Sequence, residues 1–188
     1  CIPREVINKI HELNYDDSVN GIIVQLPLPK YFEEESVLSC IKPEKDVDGF
    51  SALDLGHLVL NKEKFVACTP LGVMKMLEFE GIDPTGKHAV VLGRSDTVGK
   101  PMALLLLNAH ATVTVCHSKT QDLASICKTA DILVSAIGKA NFVKADMVKD
   151  GAVVIDVGMN RDENGKLCGD VDFDAVSKKA SYITPVPG

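Results

Sequence analysis

From residue 88 onward, short apolar runs alternate with stretches of helical periodicity. The runs that predict strands are 88–93, 112–117, 131–138 and 152–158, and a last apolar run covers 182–187. The stretches that predict helices are 101–109, 121–129, 144–150 and 173–180, and 160–170 predicts a hairpin. Apolar strands that alternate with helices are typical of a parallel sheet covered on both faces. The pattern therefore predicts an α/β fold with a Rossmann-like sheet.

The first third of the chain is less regular. Residues 3–14 predict an amphipathic helix, 21–28 a strand, 33–41 a short helix and 42–50 a series of turns. The apolar face of the first helix consists of Val6, Ile7, Ile10 and Leu13. This composition indicates part of a second α/β domain.

The change between these two regions predicts a domain boundary near residue 68. Thr69 followed by Pro70 predicts the start of a helix, with a capping hydroxyl and proline in the first turn, and Gly81 predicts its end. We therefore expect one domain over 1–68 and a second over 69–188.

Composition narrows the functional classes. The 188 residues are 46% hydrophobic and carry a net charge of −6, which disfavours a broad surface for nucleic acid or an anionic membrane. No apolar run reaches membrane-spanning length. The six cysteines form no C-x-x-C pair, which disfavours a zinc site and favours reduced thiols in a cytoplasmic compartment, with an organellar location left open.

The stretch 88–101, "HAVVLGRSDTVGKP", is laid out like a nucleotide-binding turn but lacks the G-x-G-x-x-G spacing. Gly93 and Gly99 would let a phosphate approach the backbone, and the following helix would direct free N–H groups at it. Arg94 and Ser95 add side-chain donors. An ordinary strand–helix turn explains these residues equally well.

The end of the second predicted strand bears on the choice of cofactor. NAD sites usually place an acidic residue there to bind the ribose 2′-hydroxyl, whereas this chain has His117, Ser118 and Lys119. A hydroxyl and a cation, together with Arg94, would accept a 2′-phosphate. The pattern favours NADP over NAD. Thr120 as a cap for the next helix is an alternative that is compatible with this role.

Seven motifs, in order along the chain, resemble those of the methylenetetrahydrofolate dehydrogenase/cyclohydrolase family. They are "GIIVQLPLP", "PEKDVDGF", "GRSDTVGKP", "HSKT", "VVIDVGMNR", "GDVDF" and "YITPVPG". The resemblance implies two α/β domains and an NADP-dependent enzyme of one-carbon metabolism. Such an enzyme oxidises 5,10-methylenetetrahydrofolate to the methenyl form and hydrolyses that to 10-formyltetrahydrofolate. It also implies a homodimer formed through the cofactor domain.

The resemblance assigns residues to the cofactor. Gly93, Arg94 and Ser95 would form the loop at the diphosphate, and Arg94 and Ser118 would contact the 2′-phosphate. Met159 would lie along the cofactor through its backbone.

The resemblance also assigns residues to the folate. Gln25 would orient the catalytic lysine and a water molecule, with Val24 and Leu26 on either side of the substrate. Asp48 would pair with the amino-pyrimidine edge of the pterin, where a carboxylate offers two acceptors to two parallel donors. Pro187 and Gly188 would lie at the site.

One part of the family pattern is missing. The catalytic lysine and a tyrosine one helical turn before it should precede Gln25, and no residue supplies them, since Lys9 has no such tyrosine. We therefore expect a piece of the enzyme that is nearly inactive alone, because positioned proton transfer contributes about 10²–10⁴-fold.

Alternative interpretations remain at this stage. Asp46 and Asp48 are also compatible with a magnesium pair or a solvated turn, although with the resemblance Asp46 is interpreted as structural. Cys68 is interpreted as a small buried residue rather than a redox group. At the level of function, the alternatives are a non-catalytic NADP-binding module and another NAD(P) oxidoreductase on the same scaffold.

Overall fold

The structure, a computed structural model, describes residues 2–187. The chain divides into two compact units, the first ending at Cys68 and the second beginning at Thr69. Each unit has its own cluster of buried apolar side chains. Within the described residues, no helix has the length and apolar character needed to span a membrane.

The first unit is built around a small apolar core. Its helices are α1 (Pro3–Asn14), α2 (Glu34–Leu38) and α3 (Ala52–Val59). The buried side chains of this core are Ile10, Ile22, Val37 and Ile41. Asn14, at the end of α1, donates to the carbonyl of Cys40 at 2.7 Å and accepts from the amide of Lys42 at 3.0 Å. The end of α1 is thereby fixed against the segment that follows α2.

The strand predicted over 21–28 is wrong. The segment makes a single parallel bridge, between Ile22 and Asp46, in which the Ile22 amide donates to the Lys45 carbonyl at 2.7 Å. Pro27 and Pro29 have no N–H to extend a ladder. The apolar run therefore fills the core as extended chain rather than as a regular strand.

The second unit contains a parallel sheet in the strand order β2-β1-β3-β4-β7. Its strands are β1 (His88–Leu92), β2 (Thr112–Cys116), β3 (Ile132–Ser135), β4 (Val153–Asp156) and β7 (Tyr182–Ile183). A separate antiparallel pair, β5 (Asn160–Arg161) and β6 (Leu167–Cys168), confirms the predicted hairpin. The helices are α4 (Cys68–Phe79), α5 (Gly99–Asn108), α6 (Leu123–Cys127) and α7 (Phe173–Val176), with a 3₁₀ turn at Ala145–Met147.

The register of this sheet aligns the carboxyl ends of neighbouring strands. Leu92 lies opposite both Cys116 and Ser135, and Ser135 lies opposite Asp156. Four neighbouring strands therefore end at the same level, and the loops that leave them share one edge. The strand order reverses between β1 and β3, which is where open α/β sheets bind ligands.

Two helix starts differ from the prediction. Helix α4 begins at Cys68, so Thr69 lies inside the first turn and is not its cap. Helix α6 begins only at Leu123, and the Thr120 hydroxyl accepts from the amide of His117 at 2.9 Å instead of capping the helix.

The end predicted for α4 is confirmed. Gly81 has φ +67, and its amide donates to the Glu78 carbonyl. The amide of Ile82 donates to the Leu77 carbonyl at 2.8 Å, which is the usual way in which a glycine ends a helix.

The cysteines vary in exposure. Cys116 and Cys127 are buried and Cys40 and Cys168 are half-buried, but Cys68 is exposed, so its interpretation as a buried residue is wrong. Cys68 and Thr69, the first two residues of α4, are both exposed, and the first buried residue of the helix is Pro70.

Asp131, just before β3, forms a partly exposed polar cluster. Lys149 donates to its carboxylate at 2.6 Å and the amide of His88 donates at 2.9 Å. The hydrogen bond from Lys149, then that from His88, holds the pKa of Asp131 below its ordinary value of 3.8.

Asp131→Asn is expected to reduce the free energy of unfolding at pH 7 by about 1 kcal/mol or less, since a third of the carboxylate is exposed. A carboxyl group whose pKa is lowered in the folded state stabilises the fold at pH values above its ordinary pKa. That contribution is lost as the pH falls through the lowered pKa. Urea unfolding at pH 7 and at pH 2 to 3 measures the difference. Asp150→Asn, which alters an exposed carboxylate paired with Lys179, is the matched control and should leave the free energy of unfolding nearly unchanged. If Asp131→Asn were as much less stable than the unaltered chain at pH 2 to 3 as at pH 7, the stabilising role of the Asp131 carboxylate would be contradicted.

Candidate functional site

A cavity of about 270 Å³ lies at the carboxyl edge of the sheet. Its lining residues come from the ends of three adjacent strands, from the loops that follow them and from the start of α6. They are Leu92, Gly93, Arg94, Cys116, His117, Ser118, Leu123, Ala136, Ile137, Lys139 and Phe142. Of the residues predicted for the cofactor, the structure therefore brings Gly93, Arg94 and Ser118 together.

Two glycines give the loop after β1 its close packing. Gly93 has φ +116, and a Cβ there would overlap the backbone carbonyl of Ala136. A Cβ on Gly99, the first residue of α5, would overlap the backbone of Gly93 and Arg94. Both positions require glycine, so the loop folds tightly onto the start of α5.

The polar groups of the cavity favour an anion. Arg94 and Lys139 are cationic, Ser118 and His117 supply further polar groups, and none of the described lining residues is Asp or Glu. Lys139 Nζ lies 5.5 Å from the ring centroid of Phe142, and no carboxylate pairs with it among the described residues. The absence of a lining carboxylate suits a phosphorylated ligand, because an acidic group would repel it.

Lys100 differs from these cations. It lies in the first turn of α5, outside the cavity lining, and its ammonium is paired with Asp96 in the loop before the helix. Its charge is therefore already partly compensated, and Arg94 is the unpaired cation of this loop among the described residues.

Ser95 and Met159 do not line the cavity. The Ser95 hydroxyl accepts from the amides of Val98 and Gly99, both at 3.2 Å, and so supports the start of α5. Met159 follows β4 and is 80% exposed. Their roles at the cofactor remain predictions.

Lys139 is a functional candidate that the sequence analysis missed. It follows β3 as Arg94 follows β1 and Ser118 follows β2, so its place after the third strand was the available signal.

The loop that carries Lys139 is anchored by a buried carboxylate. Asp170 is fully buried and accepts from the amides of Ile137, Gly138 and Lys139. Nothing in the spacing of "CGDVDF" indicated this role before the fold was known.

In the first unit, Asp46 and Asp48 have different surroundings. Asp46 is buried and accepts from the amides of Gly49 at 3.1 Å and Ser51 at 2.7 Å, which supports its interpretation as structural. Burial raises the pKa of Asp46, against the backbone donors that lower it. Asp48 is half-buried, and burial raises its pKa.

The bridge from Ile22 to Asp46 brings the segments of Gln25 and Asp48 side by side. Gln25 is exposed, and its amide donates to the Leu26 carbonyl at 3.1 Å. Val24 and Leu26 are half-buried on either side of it.

The remaining predicted site residues are at the C-terminal end. Pro187 is exposed, and Gly188 lies outside the described residues. Across the described part of the chain, no group of three or more His, Cys, Asp or Glu side chains is placed to hold a metal ion.

Family models match most of the chain. Residues 67–188 match the model described as tetrahydrofolate dehydrogenase/cyclohydrolase, NAD(P)-binding domain, and residues 2–48 match that family's catalytic domain. The bifunctional protein FolD of Campylobacter concisus is 62% identical over 185 residues, which is 98% of this chain and 65% of that protein. The chain thus spans about 65% of the length of the curated relatives that it matches.

Solved structures show the same architecture. The bifunctional FolD of Campylobacter jejuni superposes with a TM-score of 0.97 at 53% identity, over all of this chain and 67% of that one. The Trypanosoma brucei enzyme, complexed with NADP cofactor and inhibitor, gives 0.93 at 42% identity, over all of this chain and 67% of that one. The NAD-dependent 5,10-methylenetetrahydrofolate dehydrogenase of Saccharomyces cerevisiae gives 0.78 at 27% identity, covering 95% of this chain and 68% of that one.

Proposed function

Because the chain belongs to the tetrahydrofolate dehydrogenase/cyclohydrolase family, we propose that its second unit binds NADP and that its first unit contributes to a site for tetrahydrofolate derivatives. The whole enzyme would oxidise 5,10-methylenetetrahydrofolate with NADP and hydrolyse the methenyl product to 10-formyltetrahydrofolate. It is thus an NADP-dependent dehydrogenase and a cyclohydrolase.

The cavity at the carboxyl edge of β1, β2 and β3 carries this proposal. Its glycine-lined loop, the start of α5, and the cations Arg94 and Lys139 fit a dinucleotide with an extra phosphate. Ser118 occupies the position at which an NAD site has an acidic residue. The relatives of this family include NADP-bound and NAD-dependent enzymes, so these side chains, rather than the fold, support the choice of NADP.

The roles of the chain's own groups follow from their chemistry. Bound NADP would supply a nicotinamide that accepts a hydride. Arg94 and Ser118 would bind the 2′-phosphate by charge-assisted hydrogen bonds. The close-packed loop at Gly93 would admit the diphosphate, and Asp48 would hold the pterin edge.

Calorimetric titration of the chain with NADP⁺ and then with NAD⁺ tests the cofactor assignment. We expect NADP⁺ to bind clearly more tightly. Equal affinity for the two would remove the roles given to Arg94 and Ser118, and no binding of either would contradict the proposed cofactor site.

Asp48→Asn is expected to weaken the binding of tetrahydrofolate about tenfold, because one of two acceptors on the pterin edge becomes a donor. Glu44→Gln, exposed in the same turn region, is the matched control and should bind as the unaltered chain does. Burial raises the pKa of Asp48, so binding should begin to weaken at a higher pH than for an exposed aspartate as the solution is acidified. Fluorescence titration measures both effects, and equal affinity of the two variants would contradict the role.

Assembly and location are further proposals from the family. We propose a homodimer through the second unit and a cytoplasmic protein with no role in binding nucleic acid or membrane. The net charge of −6 supports the last point. Sedimentation of the chain tests the dimer, and a monomer at micromolar concentration would contradict it.

A further inference from the structure

Asp170 is a fully buried carboxylate with five hydrogen-bond donors. Its Oδ2 accepts from the Ser135 hydroxyl at 3.1 Å and from the amides of Ile137 at 2.8 Å and Gly138 at 3.3 Å. Its Oδ1 accepts from the amide of Lys139 and from the side-chain amide of Asn160, both at 2.9 Å. Such a set compensates the cost of burying a charge.

Two of these donors belong to one wall of the proposed cofactor site. Ile137 and Lys139 line the cavity, and their backbone amides bond the carboxylate directly. Asn160 directly follows Met159, the residue predicted to lie along the cofactor. One side chain therefore fixes both the loop that leaves β3 and the segment that leaves β4.

The surroundings of Asp170 are closely packed. A Cβ on Gly158 would overlap its carboxylate, and a Cβ on Gly169 would overlap the carboxylate of Asp156. Asp156 in turn accepts from the amides of Gly158, Asp170 and Val171 at 2.8–2.9 Å. The two aspartates thus hold the end of β4 against the segment that follows β6.

We propose that Asp170 is a positioning residue for the cofactor, holding the 137–139 loop and Asn160 in the geometry that binds NADP. This inference rests on the proposed function, since it takes the cavity to be the cofactor site. A carboxylate is required because all five partners can donate to it, and four of them are N–H groups that cannot accept.

The test compares three variants of the whole chain in calorimetric titration with NADP⁺, each with its thermal unfolding measured. Asp170→Asn replaces one acceptor oxygen with an NH₂ donor that faces N–H donors, and we expect NADP⁺ affinity to fall about tenfold or more. Asn160→Ala removes one donor from the same carboxylate and should cost a few-fold. Ser135→Ala is the matched control, because it removes a strand donor from Asp170 and leaves the loop contacts intact. It should destabilise the fold but keep affinity within about twofold.

The outcomes separate positioning from stability alone. Near-normal affinity of folded Asp170→Asn would overturn the inference, as would an equal loss of affinity in Ser135→Ala. If Asp170→Asn does not fold, Asn160→Ala decides, and unchanged affinity in that variant overturns the inference. Failure of the unaltered chain to bind NADP⁺ would contradict the proposed function as well, whereas binding that is insensitive to Asp170 would contradict this inference only.

Discussion

Gly93→Ala is expected to lower the free energy of unfolding by about 3 kcal/mol or more and to abolish measurable NADP⁺ binding. Two costs add at this position. A φ of +116 strains any residue with a Cβ, and the new methyl group would overlap the backbone carbonyl of Ala136, which a rotamer change cannot relieve. The loop would have to open, and with it the wall of the cavity.

Gly86→Ala provides the control for this comparison. Gly86 also has a positive φ, +71, but a Cβ there would meet no atom within 4 Å. The Gly86→Ala variant should therefore lose only about 1 kcal/mol in free energy of unfolding, from backbone strain, and should bind NADP⁺ normally. Urea unfolding and calorimetry measure the two variants side by side. Equal destabilisation by both would show that the overlap with Ala136 is relieved cheaply, which would contradict the close packing described for this loop.

Arg94→Ala is expected to reduce the affinity for NADP⁺ by about 10- to 100-fold and to leave the affinity for NAD⁺ nearly unchanged. The two cofactors differ in the 2′-phosphate, which is the group that we propose the Arg94 guanidinium binds. The NADP⁺ loss should shrink as salt is raised, because Arg94 is exposed and its charge is screened.

Arg161→Ala is the matched control for the loss of a guanidinium. Arg161 donates to the carbonyl of Gly165 at 2.7 Å within the hairpin and does not line the cavity. Its removal should affect neither cofactor. If Arg94→Ala weakened NADP⁺ and NAD⁺ equally, Arg94 would act on the diphosphate or on the loop fold and not on the 2′-phosphate.

The three central strands of the second unit's sheet, β1, β3 and β4, were predictable because they are nearly continuous apolar runs. Val90, Leu133 and Val154 are buried, and burial on both faces leaves a signal that a sequence shows directly. The segment 21–28 shows the limit of that signal. Apolar residues report burial, but a strand also needs a partner ladder, and this segment has one bridge only.

The site residues whose side chains directly follow strands were predictable from the sequence. Those that act through backbone groups distant in the sequence were not. Arg94 and Ser118 follow the first two strands, so their meeting could be expected from parallel topology. Lys139 follows the third strand and the same argument would have found it. Asp170 could not be found in this way, because the partners that tie it to the cavity are backbone amides over 30 residues earlier, and no side-chain pattern marks them.

The level register of β1, β2 and β3 has a consequence for how this protein can change over time. The strand ends supply a fixed floor, while Arg94, Ser118 and Lys139 each stand on a different loop and are exposed rather than part of the core. Each can be exchanged singly without repacking the sheet. Substitutions at these three positions could therefore change the preference for one dinucleotide over another step by step, whereas the buried sheet does not tolerate such substitutions.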